Sequence, residues 1–279
     1  MTDSDATTES DATTAPAGLA VDTSVPHSAR VWNYWLGGQD NYPVDRAVGD
    51  DFANLYPEIT VVARASRAFL KRAIVFLAAE AGVRQFLDIG TGMPTAENTH
   101  QIAQAVAPAA RIVYVDNDPV VLGPARSLLT STPEGATEYI DGDLRDPASI
   151  LAAAGRSTLD LSQPVGLILM NILGHLPDLE EAVSIVRHLM GALPSGSYLV
   201  TADGTNVIDG PAFEAAIAVW NANAPLSYHL RHPDQLAGFL TGLAVVDPGL
   251  VPCSRWRPSP EDDSTARDVD EFGAVARKI

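Results

Sequence analysis

The side chains best suited to chemistry stand where short apolar runs give way to glycine and aspartate. In Phe86-Leu87-Asp88-Ile89-Gly90-Thr91-Gly92-Met93-Pro94-Thr95, Gly90 and Gly92 let the backbone turn tightly and approach a ligand closely, and a helix following such a turn offers unpaired N–H groups. Asp88 places a carboxylate inside the turn, where it repels a pyrophosphate and welcomes a cation or an α-amino group. A second run ends in Tyr114-Val115-Asp116-Asn117-Asp118-Pro119, and an acid at such an edge can accept hydrogen bonds from both hydroxyls of a ribose. Asp118, followed by proline, has the signature of a helix cap. That leaves Asp116 for the ribose, with Asn117 beside it. A third run ends in Asp141-Gly142-Asp143-Leu144; the Asp143 carboxylate can accept from an adenine amino group while the Leu144 N–H donates to a ring nitrogen. Each aspartate taken alone is an ordinary loop residue, but their recurrence at three successive run ends points to one site.

The elements that must hold these residues follow from the hydrophobic pattern. Residues 86–89, 112–115, 137–140, 165–170 and 197–201 read as strands bounded by Gly, Asp and Pro, with helical segments between them. Asp178 with Glu181 marks one helix start, and Pro194 and Gly196 mark its end. Such alternation implies crossover connections and a mainly parallel, Rossmann-like α/β sheet with helices on both faces. Two further runs, 243–246 and 273–277, flank an acidic loop at 261–271 and are expected to pair antiparallel. Ahead of the sheet, Val62, Ala65, Phe69, Ala73 and Phe76 recur at helical spacing in a helix ending near Gly82. The expected organisation is a disordered acidic tail over 1–25, a helical cap region over 26–82 and the Rossmann-like core over 83–279.

Composition sets the limits of function. The 279 residues are 46% hydrophobic, enough for a sizeable core, and carry a formal net charge of −17. Five acidic residues and no basic one precede Arg30, and six acids lie between Glu261 and Glu271 against Arg267 alone; both segments are expected to serve solubility. A chain of this sign repels phosphate backbones, which argues against nucleic-acid substrates. Cys253 is the single cysteine, so no disulfide forms within the chain and no multi-cysteine metal site exists. The first residues lack the basic start and apolar run of a signal peptide, and no stretch is apolar enough to span a membrane, so a cytoplasmic protein is expected. Nothing in the sequence specifies an oligomeric state.

A dinucleotide fingerprint would place glycine at position 95, where this chain has Thr95. With Asp88, that turns the ligand away from NAD and toward S-adenosylmethionine, which carries a sulfonium and an ammonium. From Gly82 onward the motifs, in their order, resemble the class I S-adenosylmethionine-dependent methyltransferases. More narrowly, Ala29-Arg30-Val31-Trp32-Asn33-Tyr34-Trp35-Leu36-Gly37-Gly38-Gln39-Asp40-Asn41-Tyr42, the turn at 88–95, and Gly249-Leu250-Val251-Pro252 through Trp256-Arg257-Pro258 are similar to an actinobacterial methyltransferase-like family, over about Pro26 to Lys278. The resemblance implies seven strands with the final one reversed and S-adenosylmethionine as cofactor. It also implies Asp88, Gly90 and Gly92 in the cofactor loop, Asp116 at the ribose, and Asp143 with Leu144 at the adenine. Pro94 stands where many class members have a third glycine.

The remaining candidates lie in the leader and after the fourth strand. Arg30 and Tyr34 are expected to reach the methionine carboxylate, Gly37 and Gly38 to allow close approach, and Asn41 to add a contact, while Trp32, Trp35 and Leu36 pack. Arg64 and Arg67 are alternative partners for that carboxylate. Asn171 and His175 follow the fourth strand, where the class often faces the methyl group. His175, with an ordinary pKa of ~6.5, suits either a general base or a hydrogen-bonded structural role. The chain has no Asn-Pro-Pro-aromatic run after this strand and no cysteine nearby, which points away from nucleic-acid bases and toward a small-molecule acceptor. The function expected is methyl transfer from S-adenosylmethionine to such an acceptor. The alternative is a protein that binds the cofactor without turnover; Thr95 and Asp88 both oppose a third reading, an NAD-dependent oxidoreductase.

Overall fold

The computed structural model describes residues 22–94, 97–118, 121, 130–258 and 267–279. Three helices lead the chain: α1 (Ser28–Trp35), α2 (Pro43–Leu55) and α3 (Ile59–Val75), the last ending in a wide turn over Phe76–Glu80. Then come β1 (Gln85–Ile89), α4 (Thr99–Val106), β2 (Arg111–Asp116), β3 (Ala136–Asp141), α5 (Pro147–Ala154), β4 (Gly166–Met170), α6 (Leu179–Ala192) and β5 (Tyr198–Gly204). The chain closes with α7 (Gly210–Asn223), α8 (Pro233–Ala237), β6 (Ala244–Val245), β7 (Val251–Pro252) and β8 (Glu271–Arg277). The expected tail up to residue 21, the helix expected after Asp118-Pro119 and most of the acidic loop lie outside the described residues.

The sheet runs in the order β3-β2-β1-β4-β5-β8-β6, with β1 to β5 parallel and β8 antiparallel to β5. This is the Rossmann-like arrangement with a reversed final strand. Of the expected sixth strand, 243–246, only β6 forms, pairing the end of β8, and a further short strand that was not expected, β7, pairs its beginning. Pro248 and Gly249 stand in the gap, and proline cannot donate to a ladder. An eighth, two-residue strand is the result. β5 runs three residues beyond the expected Thr201, which carries Asp203 to the carboxyl edge.

Both faces of the sheet are buried, and alternate strand residues divide between two cores. Phe86, Ile112, Tyr114, Ile168 and Val200 face α1 to α4 and α7, whereas Leu87, Val113, Leu167 and Leu199 face α5, α6 and α8. On α3 the buried stripe is Ile59, Val62, Ser66, Phe69, Leu70 and Ala73, placing polar Ser66 where the expected stripe had Ala65. The leader helices join the first core directly: Trp35 packs on Phe52, and Tyr56 stacks on Phe213 of α7 with ring centroids 4.5 Å apart.

A polar knot fixes the leader. Asp45, fully buried on α2, accepts the His27 N–H at 2.9 Å and the Tyr42 N–H at 2.8 Å, and its carboxylate pairs with the buried Arg30 guanidinium at 2.8 Å. Removing one partner of a buried ion pair strands the other charge. Asp45→Ala is therefore expected to lower stability by about 3–5 kcal/mol, read as the shift in urea unfolding free energy.

Candidate active site

A cavity of about 260 Å³ opens at the carboxyl edge of the sheet, over the ends of β2, β1, β4, β5 and β8 and beneath α1 to α3 and α7. It lies at the switch point between β1 and β4, where strand order reverses. One end is polar. Gly90, at φ +73°, donates its N–H to the Val115 carbonyl at 2.8 Å, locking the β1 turn against β2. A Cβ on Gly90 would stand 2.6 Å from Ile172. Gly92, at φ +65°, donates to Asp116 Oδ2 at 3.0 Å, and the Asp118 N–H donates to Asp116 Oδ1 at 3.0 Å. Asp88 is buried and accepts the Thr99 hydroxyl at 2.6 Å. Burial pushes its pKa up to about 6, with the Thr99 bond and the Arg67 guanidinium opposing the rise. Burial likewise raises Asp116. Asn117 and Asp118 also line this end, and the His27 imidazole pairs with Asp118.

Of the two arginines expected as alternative partners for a ligand carboxylate, Arg64 is exposed, whereas Arg67 lines the cavity, anchored to the Glu97 carbonyl at 2.9 Å. The leader residues behave otherwise. Arg30 is enclosed by Asp45 and the carbonyls of Asp22 and Val25, so its charge is not available to a ligand. The Tyr34 hydroxyl donates to Asp50 at 2.7 Å. Gly37 and Gly38 close α1, with Gly38 packed against the Asn33 side chain, and Asn41 donates to Asn33 and to the Gly38 carbonyl. None of these five lines the cavity; Asn33, Val31, Trp32 and Trp35 present the leader to it instead. The third strand end also stays apart. Asp143 is exposed and accepts the Arg145 N–H at 2.9 Å, while Leu144 is buried in the opposite core.

At the far end the cavity is lined by Asn171 and His175, the two candidates after the fourth strand, together with Ser66, Tyr228 and Glu271, which the sequence did not single out. Asn171, in the left-handed region at φ +54°, donates from Nδ2 to Ser66 Oγ and to Glu271 Oε1, both at 3.2 Å. The Tyr228 hydroxyl donates to Asp203 Oδ1 at 2.7 Å, and Asp203 also accepts the Gly174 N–H at 3.0 Å. Burial pushes Asp203 up to about 6 and Glu271 up to about 7. His175 Nδ1 lies 2.8 Å from the Ser227 carbonyl, which can only accept, so Nδ1 carries the proton and Nε2 the lone pair. Burial lowers the pKa of this imidazole, with the Ser227 carbonyl opposing the shift and the neighbouring Arg145 adding to it. Apolar walls complete this end: Trp35, Phe52, Val62, Phe213, Ile217 and Trp220.

Asp270 and Glu271, expected within a solubility loop, are both buried. Asp270 gathers the N–H groups of Val207, Ile208 and Asp209 ahead of α7. For Ser66 the sequence held a signal, a polar residue at a core position of an amphipathic helix. Among the described residues no cluster of His, Cys, Asp and Glu could hold a metal, and no helix is long and apolar enough to cross a membrane.

The model of a family described as S-adenosyl methyltransferase matches residues 14–279. The chain belongs to this family. It is 45% identical to a DUF574 family protein from Streptomyces avermitilis, covering 92% of this chain and 99% of that one with a TM-score of 0.89. It is 36% identical to a putative methyltransferase from Thermobifida fusca, covering 92% and 96% at a TM-score of 0.81. No protein of curated function matches. S-adenosylmethionine is the cofactor of the family, and the polar end of the cavity fits it: a glycine turn allows close approach, buried acids can receive ribose hydroxyls and an ammonium, and Arg67 can receive a carboxylate. Gly90→Ala meets both the Ile172 clash and the left-handed backbone, the latter costing about 1–2 kcal/mol by itself. It is expected to lower the melting temperature and to weaken S-adenosylhomocysteine tenfold or more by calorimetry.

Proposed function

We propose that this chain transfers the methyl group of S-adenosylmethionine to a small-molecule acceptor. The observation that carries the reading is the division of one cavity into a polar end built on Asp88, Gly90, Gly92, Asp116 and Asn117 and an apolar end reached through Asn171 and His175. Asp116 is read as the ribose ligand, Asp88 as the counter-charge to the amino group, and Arg67 as the partner of the methionine carboxylate. The leader helices over 26–82 form the cap, since Val31, Trp35 and Phe52 wall the cavity. The bound cofactor supplies an electrophilic methyl carbon; the protein's part is to hold an acceptor in line with it and to keep water out, which accounts for much of the rate in such transfers. The net charge of −17 favours a small acceptor over a nucleic acid.

Calorimetry with S-adenosylhomocysteine tests the cofactor half, and absence of binding at high micromolar concentration would refute it. Asp116→Ala is expected to weaken binding by tenfold or more. The pH dependence has a definite sign. Asp88 is charged above about 6 and neutral below, so affinity for the ammonium-bearing ligand falls as the pH drops from 7.5 to 5. In Asp88→Asn this part of the dependence disappears. Screening small-molecule extracts for labelled product tests the transfer half; turnover excludes a protein that only binds.

A further inference from the structure

The acceptor end contains a carboxylate for which cofactor binding has no use. Glu271 opens β8 and lies across the ladder from Gly204 at the end of β5. It is 1% exposed yet lines the cavity. Its oxygens are held by three donors: Asn171 Nδ2 at 3.2 Å, the Cys253 thiol at 3.6 Å, and the Ser66 hydroxyl. A carboxylate offers about four acceptor directions, so one remains for a ligand. The groups around it are Ser66 and Arg72 on α3, Asn171 after β4, Asp203 on β5, Tyr228 and Cys253. The Arg72 guanidinium is directed to the carbonyls of Cys253 and Trp256.

This surrounding excludes whole classes of acceptor. A carboxylate or phosphate would meet Glu271, with the Asp203 charge close behind it, and among the described residues no lysine or arginine lines that end, since Arg67 sits beside Asp88. A neutral amine brings its own lone pair and needs no base before attack, whereas a hydroxyl does. An aliphatic alcohol is too weak an acid for a carboxylate to deprotonate. Flat apolar walls, Trp35, Phe52, Phe213 and Trp220, favour an aromatic body.

We propose that the apolar end takes a flat, neutral acceptor bearing an acidic hydroxyl, a phenol or an enol, and that Glu271 is the general base that receives its proton. The inference rests on the methyl-transfer reading. The hydroxyl proton passes to the Glu271 carboxylate, the oxygen pair forms the new O–CH₃ bond, and the C–S pair returns to sulfur, leaving a neutral thioether. Glu271 then releases its proton to solvent. His175 is the weaker candidate for that proton. Its Nδ1 is engaged by the Ser227 carbonyl and burial lowers its pKa, whereas burial brings Glu271 to about 7, within reach of a proton at neutral pH.

The test uses phenol and benzoate as probes on the full chain saturated with S-adenosylhomocysteine, followed by saturation-transfer NMR and by fluorescence of the cavity tryptophans. Phenol is expected to bind, at least tenfold more tightly than benzoate, with affinity rising between pH 6 and 8. Glu271→Gln should weaken phenol tenfold or more at pH 8 and flatten the pH dependence, while His175→Gln leaves both in place. Failure of phenol to bind, equal binding of benzoate, an unchanged affinity in Glu271→Gln, or loss of the pH dependence in His175→Gln instead would each overturn the inference. The wild-type comparison at two pH values stands without any variant. Calorimetry of S-adenosylhomocysteine separates the levels: if it fails on the wild type, the methyl-transfer reading falls; if it succeeds while phenol fails, only the role of Glu271 does.

Discussion

The constraint on which this structure turns is the burial of carboxylates along one edge of one sheet. Asp88, Asp116, Asp203 and Glu271 stand at the ends of β1, β2, β5 and the start of β8, and a buried charge without donors is costly. Each is met by donors from a different part of the chain. Thr99 on α4 serves Asp88, and the Gly92 turn serves Asp116. Tyr228 and the Gly174 N–H serve Asp203, and Asn171 serves Glu271. Placing those donors places α4, the glycine turn and the segments after β4 and α7. The geometry of the site and the packing of the helices are in this sense one problem with one solution.

The leader shows the same principle applied to attachment. Arg30 and Asp45 compensate each other in the interior and also collect backbone groups of residues 22, 25, 27 and 42. With the polar groups satisfied there, the aromatic rings of α1 and α2 are free to line the cavity. Trp35, Phe52 and Phe213 form a continuous chain of ring contacts from the leader to α7. The leader is thus fastened by a buried polar knot and turns apolar surface to the cavity, where a low local dielectric strengthens electrostatic interactions.

How much of this was legible from the chain varies with the range of the interaction. The five parallel strands, the glycine turn and the acids at the ends of β1 and β2 follow from short segments, because strand patterning and turn chemistry are local. The two-residue β7 after Pro248 and Gly249 went unread, because a run as short as Val251–Pro252 carries no strand pattern of its own. In the leader, Arg30, Tyr34 and Asn41 are polar residues beside glycines, a local pattern that reads as a ligand loop, whereas in the fold they do not line the cavity. Only the fold reveals that Asp45, Asp50 and Asn33 already engage them. Asp143 and Leu144 follow the motif order but turn outward and into the opposite core.

The far end of the cavity shows the limit most clearly. Ser66, Asn171, Asp203, Tyr228 and Glu271 are spread from α3 to β8, and no spacing rule links a helix, three strand ends and a loop. Glu271 was hidden further by the acidic run that precedes it. By itself the sequence determined the α/β order, the glycine turn after β1 and the sign of the charge beside it, since these depend on neighbours along the chain. The tertiary structure alone decided which polar residues hold the fold and which face the cavity, because that depends on partners brought together only when the reversed β8 closes against β5.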